Sequence, residues 1–237
     1  MRETDFNRIV EAAMSRRGFI GAGFAFGAMA FVTGACAPSS NAASVGGDRF
    51  GFSPVAANSL DTVSVPEGYE WRVLASWGDP LWSDGAPFDH ATRGDAASTQ
   101  RAVGDNNDGM ALFTHRGRTI LAVNNEYANG PIIFDNRILG VPITTDDIRK
   151  GKFASGVTIC EIERRSGIWK IVMDSAYNRR ITPETPMAIT GPARGHALLK
   201  TAADPHGVAT LGTWANCGCG RTPWETYLTC EENFRSE

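Results

Sequence analysis

Short runs of β-forming residues, broken every few positions by glycine-bearing turns, restrict this chain more than any other feature of its sequence. Met110-Ala111-Leu112-Phe113-Thr114 and Thr119-Ile120-Leu121-Ala122-Val123 are separated by His115-Arg116-Gly117-Arg118. Two such runs joined by a short loop containing Gly predict a hairpin. Val157-Thr158-Ile159-Cys160-Glu161-Ile162 and Gly167-Ile168-Trp169-Lys170-Ile171-Val172 flank Arg164-Arg165-Ser166 in the same way and predict a second one. A strand is also expected at Trp71–Trp77, stopped by Gly78-Asp79-Pro80, and a strand pair at Gly207–Gly212 and Trp224–Thr229. One brief helix is expected over Thr144–Lys150, with a Thr cap, acidic residues in its first turn and basic ones in its last. Residues 83–101 carry no apolar period and read as a surface loop. The 26 Gly and 12 Pro recur between the apolar runs instead of forming one linker, as a chain of many turns requires. Strands do not alternate with helical patterns of ~10–15 residues, so a parallel α/β sheet is excluded and the fold class is all-β: sandwich, barrel or propeller. No repeat period selects among these three.

The first forty-three residues are of another kind. Ser15-Arg16-Arg17-Gly18-Phe19-Ile20 sets paired arginines before a mildly apolar run, Gly18–Ala35, rich in Gly and Ala. That order is the order of a twin-arginine export leader. The run is less apolar than the ~20 strongly apolar residues of a membrane anchor. Small residues at Ala35-Cys36-Ala37 and Ala42-Ala43 offer cleavage positions. Residues 1–43 are therefore expected to be a signal peptide engaging the twin-arginine export machinery. Residues 44–64 form an extended lead-in, and residues 65–237 the folded domain, periplasmic or secreted and without stable membrane insertion. Removing residues 1–43 takes away four Arg and three acidic residues and leaves a net charge of −4. Acidic and basic residues are interspersed and no basic stripe with interleaved aromatics occurs, which excludes the electrostatic footprint of a nucleic-acid binder. The twin-arginine route carries folded proteins, so a metal site filled before export is an expectation.

Chemistry concentrates near the end of the chain. Asn216-Cys217-Gly218-Cys219-Gly220-Arg221 and Thr229-Cys230-Glu231-Glu232-Asn233 bring three of five cysteines close to two carboxylates. Such an ensemble is a metal site, a disulfide (Cys219 to Cys230), or a set of small buried hydrophobes. Cys217-x-Cys219 is too tight for the paired C-x₂₋₄-C spacing of structural zinc. Asp105-Asn106-Asn107-Asp108-Gly109 offers oxygen ligands, but its Gly is out of register for an EF-hand loop, and a hairpin turn on Asp108-Gly109 is the favoured reading. Arg179-Arg180 could hold phosphate, although paired Arg on a strand reads first as a surface or packing feature. His90, His115, His196 and His206 have no partners in sequence and read as structural.

The stretch from Asn216 through Thr222-Pro223-Trp224, Thr226-Tyr227-Leu228-Thr229 and Cys230-Glu231-Glu232-Asn233-Phe234 resembles, nearly residue for residue, a segment of the PhoX-type alkaline phosphatases. Trp77-Gly78-Asp79-Pro80-Leu81, Asn106-Asn107-Asp108-Gly109, Asn125-Glu126-Tyr127 and Tyr177-Asn178-Arg179-Arg180-Ile181-Thr182 are similar to other stretches of that family, in order, from about residue 65 onward. The resemblance implies a β-propeller, six-bladed in the complete family member, of which this chain holds the first blades. It implies a central cluster of Fe3+ and Ca2+ that hydrolyses phosphomonoesters, small phosphate esters as partners, and a monomer when complete. Carried over by resemblance, Cys217 is an iron ligand, Glu232 a metal ligand, Glu126 a further metal ligand, and Glu231 a carboxylate of the cluster or a solvated charge. Cys219 and Glu225 stand where the family has Gly, and Asn125 where His is expected. The chain stops at Glu237 just after a strand and an acidic cluster, which reads as a truncated and, by itself, inactive part of the enzyme. The alternative is an exported propeller without catalysis, stapled by a disulfide near Cys217, that binds a ligand or partner. Thiolate suits iron and carboxylate oxygens suit both ferric iron and calcium, so the donor types agree with the implied cluster.

Overall fold

The computed structural model describes residues 51–233. The leader and its cleavage positions lie outside these residues. The chain divides into two units at Glu70/Trp71. In the first, residues 51–70 contain no helix or strand, and Phe52 meets Tyr69 edge to face at 5.5 Å. The second unit carries nine strands in three antiparallel sheets with few, short helices and no closed barrel among the described residues.

Both predicted hairpins form and join into one meander. Strands β1 (Asn107–His115), β2 (Arg118–Asn125), β3 (Gly156–Arg165) and β4 (Ile168–Ile171) lie in sequence order. The reversals are tighter than the sequence suggests. Arg116-Gly117 and Ser166-Gly167 are two-residue loops with positive φ at both positions (50° and 75°; 49° and 82°). That backbone twist matches the twist of the flanking strands. Strand β5 (Arg179–Ile181) shares the outer edge of β3 with β4, pairing Val157–Ile159 while β4 pairs Ile162–Arg165. Asn178 fills the gap between them: its Oδ1 accepts from Glu161 N (3.0 Å), and its Nδ2 donates to Val172 O (2.8 Å) and Leu81 O (2.9 Å).

The central strands are covered on both faces. On one face Leu121, Val123, Cys160 and Ile162 pack with Leu81 and Val103. On the other Ile120, Ala122, Val157 and Ile159 pack with Phe113, Tyr177, Ile181 and Tyr227. Side chains alternate across a strand, so β2 sends Asn124 to the second face and Asn125 to the first. Helix α1 (Ala96–Gln100) precedes β1, and two short helices, α2 (Gly130–Ile133) and α3 (Thr145–Ala154), run between β2 and β3. Helix α3 is the expected one, extended by a turn. Thr144 and Asp147 form a capping box, and the Asp147 carboxylate also receives Arg137 (2.8 Å). Lys150 is buried and donates to Ile133 O at 3.0 Å, satisfying a carbonyl at the end of α2.

Three expectations are corrected. Trp71–Trp77 is not a strand: Trp71 and Val73 are 47% and 64% exposed, and the pairing lies further on. Val103 N donates to Asp79 O and Leu81 N to Arg101 O, with Pro80 opposite Ala102. Pro80 sits in the one register position where no N–H is needed, so proline does not stop this pairing. Residues 83–101 are not wholly a loop, because Asp95 caps α1 and buries Ala96 and Thr99. The late strands pair differently from the expectation. Strand β7 (Ala209–Leu211) joins β6 (Pro186–Ala188), and β9 (Tyr227–Glu231) joins β8 (Asn216–Arg221). The Gly and Cys content of 216–221 hid β8 from a reading based on β-branched residues.

Candidate metal centre

Two β-bulges build this site. In the β1–β2 ladder Asn107 opposes Asn125 and Met110 opposes Val123, which leaves Asp108 and Gly109 together opposite Asn124. In the β8–β9 ladder Asn216 opposes Glu231 and Cys219 opposes Thr229, which leaves Cys217 and Gly218 opposite Cys230. An extra residue in one strand bends it and re-aims a side chain. Here each bulge is a ligand-type residue followed by Gly. The hairpin turn expected at Asp108-Gly109 is therefore a bulge within a strand; the reversal it would have made occurs at Arg116-Gly117.

The second hairpin docks its bulge on the first. A Cβ at Gly109 would lie 2.5 Å from Cys217 O and 3.0 Å from Cys219 Cβ, so only glycine lets the strands approach this closely. Tyr227 shares its hydroxyl proton between Gly109 O (2.9 Å) and Asn124 Oδ1 (3.0 Å). Asn124, fully buried, donates through Nδ2 to Cys217 O (2.7 Å) and Gly218 O (3.3 Å) and accepts at Oδ1 from Thr229 (2.9 Å).

The result is a convergence of one thiol and two carboxylates. Ligand atoms of Asp108, Glu126 and Cys217 all lie within 4.8 Å of one another. Glu126 follows β2 directly, and its N–H donates to Asn106 O at 3.0 Å, closing the ladder beside the bulge. Glu232 joins from the end of β9, with its N–H on Ala215 O (2.9 Å) and its carboxylate beside the Cys217 thiol. Asp108 first and Glu232 next push the Cys217 thiol up to about 12, because both carboxylates favour the protonated, donating form. Negative groups gathered on a thiol are what a bound cation would compensate. The donor set, one soft sulfur and several hard oxygens, fits iron at the thiol and calcium or iron at the carboxylates.

Three of the four residues selected from sequence, Cys217, Glu126 and Glu232, gather here. Glu231 is placed elsewhere: its Oε1 accepts from Thr213 Oγ1 (2.9 Å) and Trp214 N (3.1 Å) and pins the turn before β8. Asp108 was missed as a ligand because Asp-Gly is the strongest short hairpin signal; the matching pattern at Cys217-Gly218 is the clue that would have found it. The Cys219–Cys230 disulfide does not form. Cys160, Cys217, Cys219 and Cys230 are free thiols. Cys219 is in register with Thr229, so the adjacent Cys230 points to the opposite face of the hairpin. The Cys219 thiol instead lies beside the Tyr227 hydroxyl, whose pKa is raised by burial and then by that neighbouring sulfur.

Asn125, expected as His, stands behind the site. Its Nδ2 donates to Asn107 Oδ1 (2.8 Å), and its Oδ1 accepts from Thr158 (2.6 Å) and from Arg180. Gly104 makes room for it: a Cβ there would meet Asn125 Cγ at 2.5 Å. Arg180 is thus a packing residue, in line with the favoured reading of the Arg pair. His196 caps a turn by accepting from Leu198 N, and His115 and His90 meet Tyr177 and Phe88 edge to face.

The sequence profile of the family described as alkaline phosphatase PhoX matches residues 50–237. Among solved structures, the chain is similar to Pseudomonas fluorescens PhoX in complex with vanadate, a transition state analogue. Identity is 47% and the TM-score 0.73, over 77% of this chain and 32% of that one. The chain thus spans about a third of the length of that protein. The search of curated proteins finds no match. With its profile matched across residues 50–237 and 47% identity to a solved member, this chain belongs to the PhoX alkaline phosphatase family.

Proposed function

We propose that this chain supplies part of the metal centre of a periplasmic alkaline phosphatase that hydrolyses phosphomonoesters. The observation that carries the proposal is the meeting of Asp108, Glu126 and Cys217 within 4.8 Å on two bulged strands and a strand end. Iron and calcium, when bound, would supply charge to polarise phosphoryl oxygens and offset the negative charge of phosphoryl transfer. The chain's own residues hold and orient. Cys217 Sγ offers the single soft donor, while Asp108 and Glu126 flank it with oxygens. Glu232 stands beside the same thiol and would add a further carboxylate oxygen for a cation held at Sγ. Asn125, Thr158 and Arg180 form a rigid polar block behind the ligands and keep the ends of β1 and β2 together.

In this reading the meander β1–β4 is one blade of a six-bladed propeller, the twin-arginine leader exports the folded protein, and the complete enzyme acts as a monomer on small phosphate esters. The similarity to a phosphatase solved with vanadate supports the reaction class. The test is p-nitrophenyl phosphate hydrolysis, with metal analysis, on the protein encoded by the full natural gene. Cys217→Ser is expected to lose iron and to lower the rate by orders of magnitude, while Cys219→Gly keeps both. A Cys217→Ser rate equal to that of the unaltered protein rejects the proposal.

A further inference from the structure

Two bulges create the metal centre, and one side chain links them. A bulge removes a rung from its ladder, so its carbonyls need partners from elsewhere. At the second bulge those carbonyls are Cys217 O and Gly218 O, and both accept from Asn124 Nδ2. Asn124 is also the residue that stands opposite the first bulge, Asp108-Gly109, and it lies two positions before Glu126. Strands β2 and β8 share no ladder: β2 pairs with β1 and β3, and β8 with β9. The Asn124 carboxamide therefore joins the strand leading to Glu126 directly to the main chain of Cys217. Its orientation is fixed, because Oδ1 receives Thr229 Oγ1 (2.9 Å) and lies 3.0 Å from the Tyr227 hydroxyl, which leaves Nδ2 facing the two carbonyls. The group is fully buried, so no water substitutes for it.

We infer that Asn124 is a positioning residue that sets Cys217 against Asp108 and Glu126 by bridging the two bulges. The inference rests on the metal-centre reading above. Burial on this face of β2 would be served by any apolar side chain, as Ala122 and Ile120 show on the same face. A carboxamide is needed for its simultaneous donor and acceptor ends. Replacement of partners that orient ligands typically costs metal affinity ~10–100-fold.

The variant Asn124→Asp keeps the shape and the acceptor end and removes the donor. Its added negative charge would by itself favour a cation, so a loss of affinity reports position. In the protein encoded by the full natural gene, Co2+ is titrated and the thiolate-to-cobalt charge-transfer absorption is read, with Ca2+ binding and far-ultraviolet circular dichroism alongside. Asn124→Asp is expected to keep the dichroism spectrum, to shift or lose the cobalt–thiolate band, and to raise the apparent Co2+ dissociation constant at least ~10-fold. A folded Asn124→Asp with an unaltered band overturns the inference. If that variant does not fold, the double variant Tyr227→Phe/Thr229→Val decides, since it leaves both carbonyl bonds possible but removes both hydroxyls that fix the carboxamide's orientation: a weakened band supports the inference and an unchanged one overturns it. A parent protein with no cobalt–thiolate band, or with one that survives Cys217→Ser, removes the metal-centre reading and the inference with it.

Discussion

Replacing Arg180 by Met probes the polar block on which the site is mounted. The guanidinium donates through one terminal nitrogen to Asn125 Oδ1 and Thr158 Oγ1, and through the other to Phe153 O (2.6 Å) and Ser155 O (3.0 Å). Phe153 and Ser155 lie at the C-terminal end of α3, where carbonyls lack helical partners and the helix dipole favours a cation. The dipole thus offsets part of the cost of burying a charge that has no carboxylate partner among the described residues. Burial alone drags the group down to about 9, yet a guanidinium with four bonds remains charged at neutral pH. In Arg180→Met, Asn125 Oδ1 keeps Thr158, but the two carbonyls are orphaned at ~1–3 kcal/mol each. Removing a buried charge and its unpartnered Nε returns part of that loss, on the order of 1–2 kcal/mol. The net expectation is a loss of ~2–4 kcal/mol, which for a protein of this size or larger lowers Tm by roughly 5–15 °C. Urea and thermal denaturation followed by circular dichroism measure it. A loss under ~1 kcal/mol would refute the view that this block holds α3, β3 and the ends of β1 and β2 together.

Two other perturbations follow from local geometry. Gly109→Ala drives a Cβ to 2.5 Å from the main-chain oxygen of Cys217, a contact that backbone cannot yield to, and should cost ~1–3 kcal/mol; denaturation and bound-metal analysis check it, and an unchanged metal content would contradict the close docking of the bulges. Arg137, ahead of three further hydrogen bonds from the Thr144 and Ile143 main chain and the Thr144 hydroxyl, holds the Asp147 carboxyl well below the usual carboxylate range against the opposing effect of burial. A depressed folded pKa contributes stability that is present above the unfolded value of ~3.9 and is lost as pH falls through the folded value. Asp147→Asn should therefore be less stable than the parent at pH 7, with the difference shrinking below about pH 4; a constant difference down to pH 2 would contradict the assignment.

The sequence made some of this legible and hid the rest for physical reasons. Both hairpins of the meander were readable because β2 and β3 carry β-branched and aliphatic residues and their loops carry Gly after a residue that tolerates positive φ. The α3 cap was readable because Thr144 and Asp147 act within one turn. Strand β8, Asn-Cys-Gly-Cys-Gly-Arg, has no β-forming composition and exists because Asn124 and β9 hold it. Its misreading moved β9 to the wrong partner. Cys217, Glu126 and Glu232 came from family resemblance, whereas Asp108 required the bulge, a property of register between two strands that no single strand displays. Asn124 and Asn125 were likewise unreadable as a pair of anchors, since their opposite directions depend on which faces other elements cover.

Anomalous diffraction at the iron edge, on crystals of the protein purified with its native metal, tests the proposed centre most directly. The expected result is a peak within bonding distance of Cys217 Sγ, flanked by carboxylate oxygens of Asp108 and Glu126, and absent in Cys217→Ser. A peak remote from these three residues, or none in active protein, would contradict the assignment.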